Sequence, residues 1–79
     1  MRLNALLDVL LDDTVVYLNL TYRDEDNILT RGWYKRKVKD IPKTMKEYGL
    51  RKHDFKVTCI TPSVDEEVGL DIIAREWSK

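Results

Sequence analysis

The chain has 79 residues, a formal net charge of zero and a single cysteine. A domain of this length buries about 60% of the surface of its unfolded chain, which fills one core and leaves little apolar sequence for a deep active site. The composition, 43% hydrophobic and 35% charged, excludes a disordered tail, and one cysteine excludes an intrachain disulfide.

The first segment is predicted to be a short helix. Leu3, Leu6, Leu7 and Leu10 recur at the spacing of one helix face. The stretch is too short to span a bilayer, and Arg2 is the only basic residue that could serve a signal peptide, with no small-residue cleavage site after it. We therefore expect a soluble, cytoplasmic protein.

The next segment is predicted to be a hairpin. Residues 15–22 change to a period of two and are rich in β-branched and aromatic side chains, as strands are. The polar run 23–27 forms the loop, and a second strand is predicted over residues 28–39. Gly32 inside that strand predicts a bulge or a close approach to the backbone.

A second helix and a second hairpin are predicted to follow. Pro42 suits the first turn of a short helix, and Gly49 suits the left-handed residue just past its end. The run 55–61 alternates again and places Cys59 on the core face as a small buried residue. After an acidic loop, the last strand is predicted over residues 70–77.

This order, α-β-β-α-β-β, predicts one α+β domain over residues 1–79, with an antiparallel sheet of about four strands. Each helix has one apolar stripe, so both are expected to pack on the same face of the sheet. The other face then exposes the large residues that one core cannot hold, and such a patch indicates a protein interface. The candidates for that interface are Tyr17, Trp33, Ile73 and Trp77, with Tyr34 and Ile60 as alternatives to Trp33 and Ile73.

The sequence contains few candidates for catalytic or metal-binding residues. Cys59 and His53 would lie about 20 Å apart along one strand, beyond hydrogen-bond reach. One histidine and one cysteine cannot form a structural zinc site, and the acids at 24–26 lack the glycine and final glutamate of a calcium loop. We therefore expect no enzyme activity, no cofactor and no metal.

Charge is distributed in blocks, with −4 over residues 1–30, +7 over 31–56 and −3 over 57–79. The basic block contains the run RGWYKRKVK, in which a period of two places Trp33 and three lysines on one face. A basic stripe beside an aromatic ring is typical of single-stranded nucleic-acid sites, which makes weak binding of such a strand the alternative function. The candidate residues are Arg31, Trp33, Lys35, Lys37 and Lys39.

The same lysines have a structural explanation. Lysine protects an edge strand from pairing with other chains, and acids on neighbouring segments could neutralise the stripe. The sequence leaves open whether the lysine face is free.

The motifs LLDVLLDDTVVYL and VKDIP resemble those of small proteins carried by prophages and conjugative elements of Gram-positive bacteria. The resemblance lies within residues 1–45 and transfers no catalytic or binding residue. It implies a cytoplasmic accessory protein that acts by binding. We therefore expect a non-enzymatic module that contacts a protein partner, either a host protein or a second copy in a homo-oligomer, through an exposed sheet face or an edge strand.

Overall fold

The computed structural model of the chain describes residues 1–50 and 54–77. Its elements confirm the α-β-β-α-β-β order of an α+β domain. They are α1 (Leu3–Val9), β1 (Val15–Arg23), β2 (Leu29–Lys37), a 3-10 turn (Val38–Asp40), α2 (Ile41–Glu47), β3 (Phe55–Pro62) and β4 (Leu70–Glu76). Within these ranges no helix is long and apolar enough to cross a membrane.

The four strands form one sheet in the order β2-β1-β4-β3. Each hairpin is antiparallel, as predicted, but the central strands β1 and β4 are parallel, so the sheet is mixed. The connection through α2 carries the chain across to the far edge of the sheet, so β3 lies outside and β4 docks against β1. Burial favours this order, because Ile72 and Ala74 of β4 are completely buried while most of β3 is exposed.

Both helices pack on the same face of the sheet, as expected from their single apolar stripes. Leu3 and Leu6 of α1 and Ile41 and Met45 of α2 belong to one core cluster. The sheet contributes alternate residues to that core, which are Val16, Leu18, Leu20, Phe55, Ile72 and Ala74. The period-two pattern of the central strands thus separates a helix-covered face from a face with no helix on it.

The basic strand is shorter than predicted, since β2 ends at Lys37. Val38 turns inward and is buried, and its N–H donates to the Thr14 carbonyl at 2.9 Å. Burial of Val38 draws the chain out of the strand and into the 3-10 turn. Lys39 therefore does not continue the strand face that carries Trp33.

Gly32 shows a close approach but no bulge, because the β1–β2 register is uninterrupted from end to end. The ring of Tyr34 folds over Gly32, and a Cβ added there would lie 2.6 Å from the Tyr34 Oη. Tyr34 also contacts the ring of Tyr48 at 5.3 Å, and burial raises the pKa of Tyr34 above its ordinary value. Glycine at position 32 thus makes room for an aromatic side chain of the same strand.

The ends of α2 follow the sequence prediction. Pro42 lies in the first turn, and Gly49 adopts a φ of 67° just past the last turn. The Leu50 N–H then donates to the Met45 carbonyl at 2.8 Å, and the Leu50 side chain is buried. The left-handed residue thereby folds the chain back into the core.

Candidate protein interface on the open sheet face

The sheet face opposite the helices is called the open face here. The strand registers align its side chains in rows that cross all four strands. The central row, called the tryptophan row, contains Trp33, Asn19, Ile73 and Cys59. On one side lies the arginine row, with Arg31, Thr21, Arg75 and Lys56. On the other side lies the tyrosine row, with Lys35, Tyr17, Asp71 and Thr61.

Three of the four predicted interface residues lie together on this face. Trp33, Ile73 and Tyr17 are 65%, 42% and 36% exposed, although β1 and β4, which carry Tyr17 and Ile73, contribute to the core from their other side. Trp33 and Ile73 are direct neighbours of Asn19 in the tryptophan row. The alternative residue Tyr34 lies on the helix-covered side, where it packs against the core.

The prediction of a buried Cys59 is wrong, because the thiol is exposed. A bulge between Val57 and Cys59 inserts Thr58 into β3, and the Thr58 hydroxyl donates to the Ile73 carbonyl at 3.1 Å. The extra residue inverts the alternation after it. Cys59 consequently joins the open face beside Ile73, and Ile60 takes the helix side opposite Ile72.

Trp77 lies at a corner of the open face, just past β4. The residue is 41% exposed, and its ring sits near two cations, with Lys56 Nζ 5.3 Å and the Arg2 guanidinium 6.0 Å from the ring centroid. The backbone N–H of Trp77 donates to the Asp54 carbonyl at 2.8 Å. Trp77 therefore secures the chain end against β3 while leaving part of its ring exposed.

The centre of the open face is a shallow depression of about 250 Å³ lined by Tyr17, Trp33, Ile73, Asn19 and Asp71. This volume is below the range of about 300–1,000 Å³ that is usual for small-molecule pockets, and it suits protruding side chains better. The Oδ1 atoms of Asn19 and Asp71 are screened from solvent, and neither accepts a hydrogen bond. Two residues that line the depression therefore each carry a buried oxygen acceptor without a donor.

The first lysine of the predicted basic stripe is neutralised by the loop between β3 and β4. Lys35 Nζ donates to Glu67 at 3.0 Å and lies 3.7 Å from Asp65. The hydrogen bond to Glu67 raises the pKa of Lys35, and the charge of Asp65 adds to the effect. The ammonium also lies 5.9 Å from the centroid of the Tyr17 ring. Lys35 is thus part of an ion-paired cluster.

The other two lysines share one carboxylate on the loop between α1 and β1. Asp13 lies 3.2 Å from Lys39 Nζ and 3.9 Å from Lys37 Nζ. The hydrogen bond from Lys39 holds the pKa of Asp13 below its ordinary value, and the pKa of Lys39 is raised in turn. Each lysine of the stripe therefore has an acidic partner, which answers the question that the sequence left open.

The unpaired cations of the open face lie at its other end. Among the residues that the structure describes, no carboxylate comes within ion-pair distance of Arg31, Arg75 or Lys56. Of these three, only Arg31 was a candidate from sequence. Reading residues 70–77 with a period of two would have placed Asp71 and Arg75 beside Ile73, but that reading alone gives no partner for either charge.

Of the Cys59–His53 pair considered from the sequence, the structure describes only Cys59. His53, the histidine considered with Cys59, lies outside the described residues. Within residues 1–50 and 54–77, no three side chains of His, Cys, Asp or Glu are grouped so that they could hold a metal ion. The chain matches no protein-family model, no curated protein and no solved structure. Its resemblance to proteins of prophages and conjugative elements stays a prediction.

Proposed function

We propose that this chain is a small non-enzymatic interaction module whose open face binds a protein partner. One observation carries the proposal: Tyr17, Trp33 and Ile73 are exposed side by side on a sheet face that no helix covers. Large apolar side chains grouped on a folded surface usually mark an interface, and aromatic residues contribute most of the binding energy in such contacts.

Both edges of the sheet are poorly suited to pairing, which favours the face over an edge strand. The free edge of β2 carries charged side chains, among them Arg31, Lys35 and Lys37, and charged side chains along an edge, lysine above all, oppose the addition of another strand whether or not they are ion-paired. At the β3 edge, the Val57 N–H is taken by the Met1 carbonyl at 2.8 Å, and the bulge at Thr58 interrupts the strand.

Self-association is the simplest form of this function. A domain of 79 residues has a small core, so burying a second apolar surface stabilises it in proportion more than it would a large protein. We further propose a cytoplasmic accessory role of the kind that the prophage resemblance implies, with a host protein as the alternative partner.

Sedimentation velocity over a concentration series tests the self-association. We expect the wild-type chain to form a reversible oligomer, and Trp33→Ser to weaken it about 30-fold, as loss of a central aromatic anchor does. Tyr48→Ser is the matched control, because Tyr48 is an exposed aromatic residue on the helix side and should leave the oligomer unchanged. A wild-type chain that sediments as an ideal monomer at every concentration would contradict self-association.

Cys59 provides an independent measurement on the unmodified chain. Its thiol is exposed and lies in the tryptophan row, so coverage of the open face should slow its reaction with a thiol reagent. We expect the rate to fall as protein concentration rises, and to become independent of concentration in Trp33→Ser. A rate that never changes would show that this face stays uncovered.

Single-stranded nucleic acid is the second candidate partner, favoured by the three cations of the arginine row, which have no ion-pair partner among residues 1–50 and 54–77. Phosphates are attracted to such cations and bases stack on exposed aromatic rings such as Trp33. Two observations weigh against it: the lysines of the predicted stripe are ion-paired, and the centre of the face presents the carboxylate of Asp71. We therefore rank it below a protein partner.

A further inference from the structure

We propose that the occupant of the open face is a second copy of this chain, packed face to face about a two-fold axis that runs along the tryptophan row. In this arrangement Arg75 of each copy pairs with Asp71 of the other. The inference rests on the proposed function and specifies which surface atoms meet. Two observations on the open face support it. Arg75 has no carboxylate partner among the described residues, and the Asp71 Oδ1 accepts no hydrogen bond.

The geometry follows from symmetry. When two identical faces meet, their two-fold axis lies in the plane between them, and each point on one face meets its mirror position across that axis. An axis along the tryptophan row therefore superposes the arginine row of one copy on the tyrosine row of the other. Arg75 and Asp71 lie on the same strand, so they meet directly. The arrangement also corresponds to aligned sheet packing, in which the strands cross at about 30°.

The two charges cannot pair within one chain. Arg75 and Asp71 are four residues apart on β4, which separates their Cα atoms by about 13 Å. Arg75 has no carboxylate partner among the described residues, and the Asp71 Oδ1 accepts no hydrogen bond. Each group therefore lacks what the other offers, and a second copy brings them together twice.

The pairing also supplies donors to the centre of the face. A guanidinium carries five N–H donors, whereas a screened oxygen without a donor destabilises the protein. A rotation of the Asp71 carboxylate would turn its Oδ1 toward the incoming Arg75. The Asn19 Oδ1 lies in the adjacent tryptophan row and is within the same depression.

The remaining contacts of this arrangement are compatible. Thr21 meets Tyr17, and Lys56 meets Thr61. Arg31 meets Lys35, but Lys35 carries Glu67 and Asp65 with it, so that cluster has a formal charge of −1, from one cation and two carboxylates. No row places an uncompensated charge against a like charge. Along the axis itself, Trp33, Ile73 and Cys59 each meet their own counterparts.

A charge exchange tests the Arg75–Asp71 pair. We expect Arg75→Glu and Asp71→Lys each to weaken dimerisation about tenfold or more, since each places like charges in contact. The double variant Asp71→Lys/Arg75→Glu restores the pair in reverse and should recover most of the affinity. Lys43→Glu, an equal charge change on α2, should have no effect. Circular dichroism of every variant checks that the fold is retained.

Cross-linking tests the position of the axis. Because Cys59 lies on the axis, the shortest bismaleimide should link Cys59 of two wild-type copies. Moving the cysteine to the tyrosine row with Cys59→Ser/Thr61→Cys should abolish the link, since two such residues lie far to either side of the axis. An unlinked wild-type dimer would place the axis elsewhere and overturn the inference.

The outcomes separate this inference from the proposed function. A dimer that Trp33→Ser disrupts, but that Arg75→Glu leaves unchanged or that the double variant fails to restore, overturns the paired-charge arrangement and keeps the open face as the interface. A wild-type chain that is monomeric throughout overturns both this inference and self-association, and leaves a host protein as the proposed partner of the open face.

Discussion

The lysines of the basic strand and the turn after it are ion-paired with carboxylates on loops that are distant in sequence. Lys35 is paired with Glu67, 32 residues further along the chain, and Lys37 and Lys39 are paired with Asp13. All of these groups are at least a third exposed, so the pairs contribute little to stability. Their main consequence is for recognition, because they cancel the field of the most basic run in the sequence.

The pair between Asp13 and Lys39 predicts a measurable titration. The Lys39 hydrogen bond lowers the pKa of the Asp13 carboxyl in the folded protein. Any stability from the pair is therefore present above the unfolded pKa and lost as the pH falls through the lowered folded value. We expect Asp13, followed by its carboxyl ¹³C shift, to titrate below the ordinary value of 3.8.

Lys39→Met provides the control for that titration. It removes the hydrogen bond and the nearer charge, so the midpoint of Asp13 should rise toward its ordinary value, while Lys43→Met should leave it unchanged. Lys37 alone, at 3.9 Å, should retain only a small part of the effect. A midpoint that is the same in wild type and Lys39→Met would contradict the ion pair.

Elements of this fold divide into those whose ends are encoded locally and those that are not. The start and end of α2 follow from Pro42 and Gly49, because a ring-locked φ and a left-handed residue act on the backbone whatever surrounds them. The sheet face on which Cys59 lies could not be predicted in this way. The bulge at Thr58 is stabilised by pairing with β4, and nothing in the run 55–61 distinguishes a bulged strand from a regular one.

The end of α2 predicts the effect of one substitution. Gly49→Ala should destabilise the protein by about 1 kcal/mol, because a Cβ disfavours the left-handed conformation. Among the described residues, apart from the two chain neighbours of Gly49, no atom lies within 4 Å of that Cβ position, so the effect comes from the backbone conformation. Urea unfolding would measure it. Gly49→Asn should lose less of the free energy of unfolding, because asparagine tolerates this conformation better than alanine. An alanine variant as stable as wild type would show that the turn can adopt another backbone conformation.

The whole molecule combines charge blocks that are separate in the sequence. The parallel β1–β4 pair brings the two hairpins together, so that acidic loops lie against the basic strand at one end of the sheet. At the other end lie Arg31, Arg75 and Lys56, which have no carboxylate within ion-pair distance in the part of the chain that the structure describes. The net result is a face with a neutralised end, a centre in which Trp33 and Ile73 flank Asn19, and a cationic end.

Oligonucleotide binding tests this distribution of charge. For a labelled single strand at low salt, we expect the combined Lys35→Ala, Lys37→Ala and Lys39→Ala variant to bind within about twofold of wild type, because those lysines are already paired. The Arg31→Ala/Arg75→Ala variant should lose most of any affinity and reduce the salt slope by about 1.4. Anisotropy would measure both. Loss of binding in the lysine variant alone would show that the stripe is free, and absence of any binding eliminates the second candidate.

The sequence by itself determined the order of the elements and the ends of α2, and it limited the open-face candidates to Tyr17, Trp33 or Tyr34, Ile73 or Ile60, and Trp77. These features depend on spacings of two to four residues and on the backbone preferences of proline and glycine, which act within one element. The tertiary structure decided the parallel centre of the sheet, the bulge that exposes Cys59 and the pairing of the lysines. Those features depend on which strand buries the most apolar surface and which loops then meet it, and such contacts join residues that are dozens of positions apart.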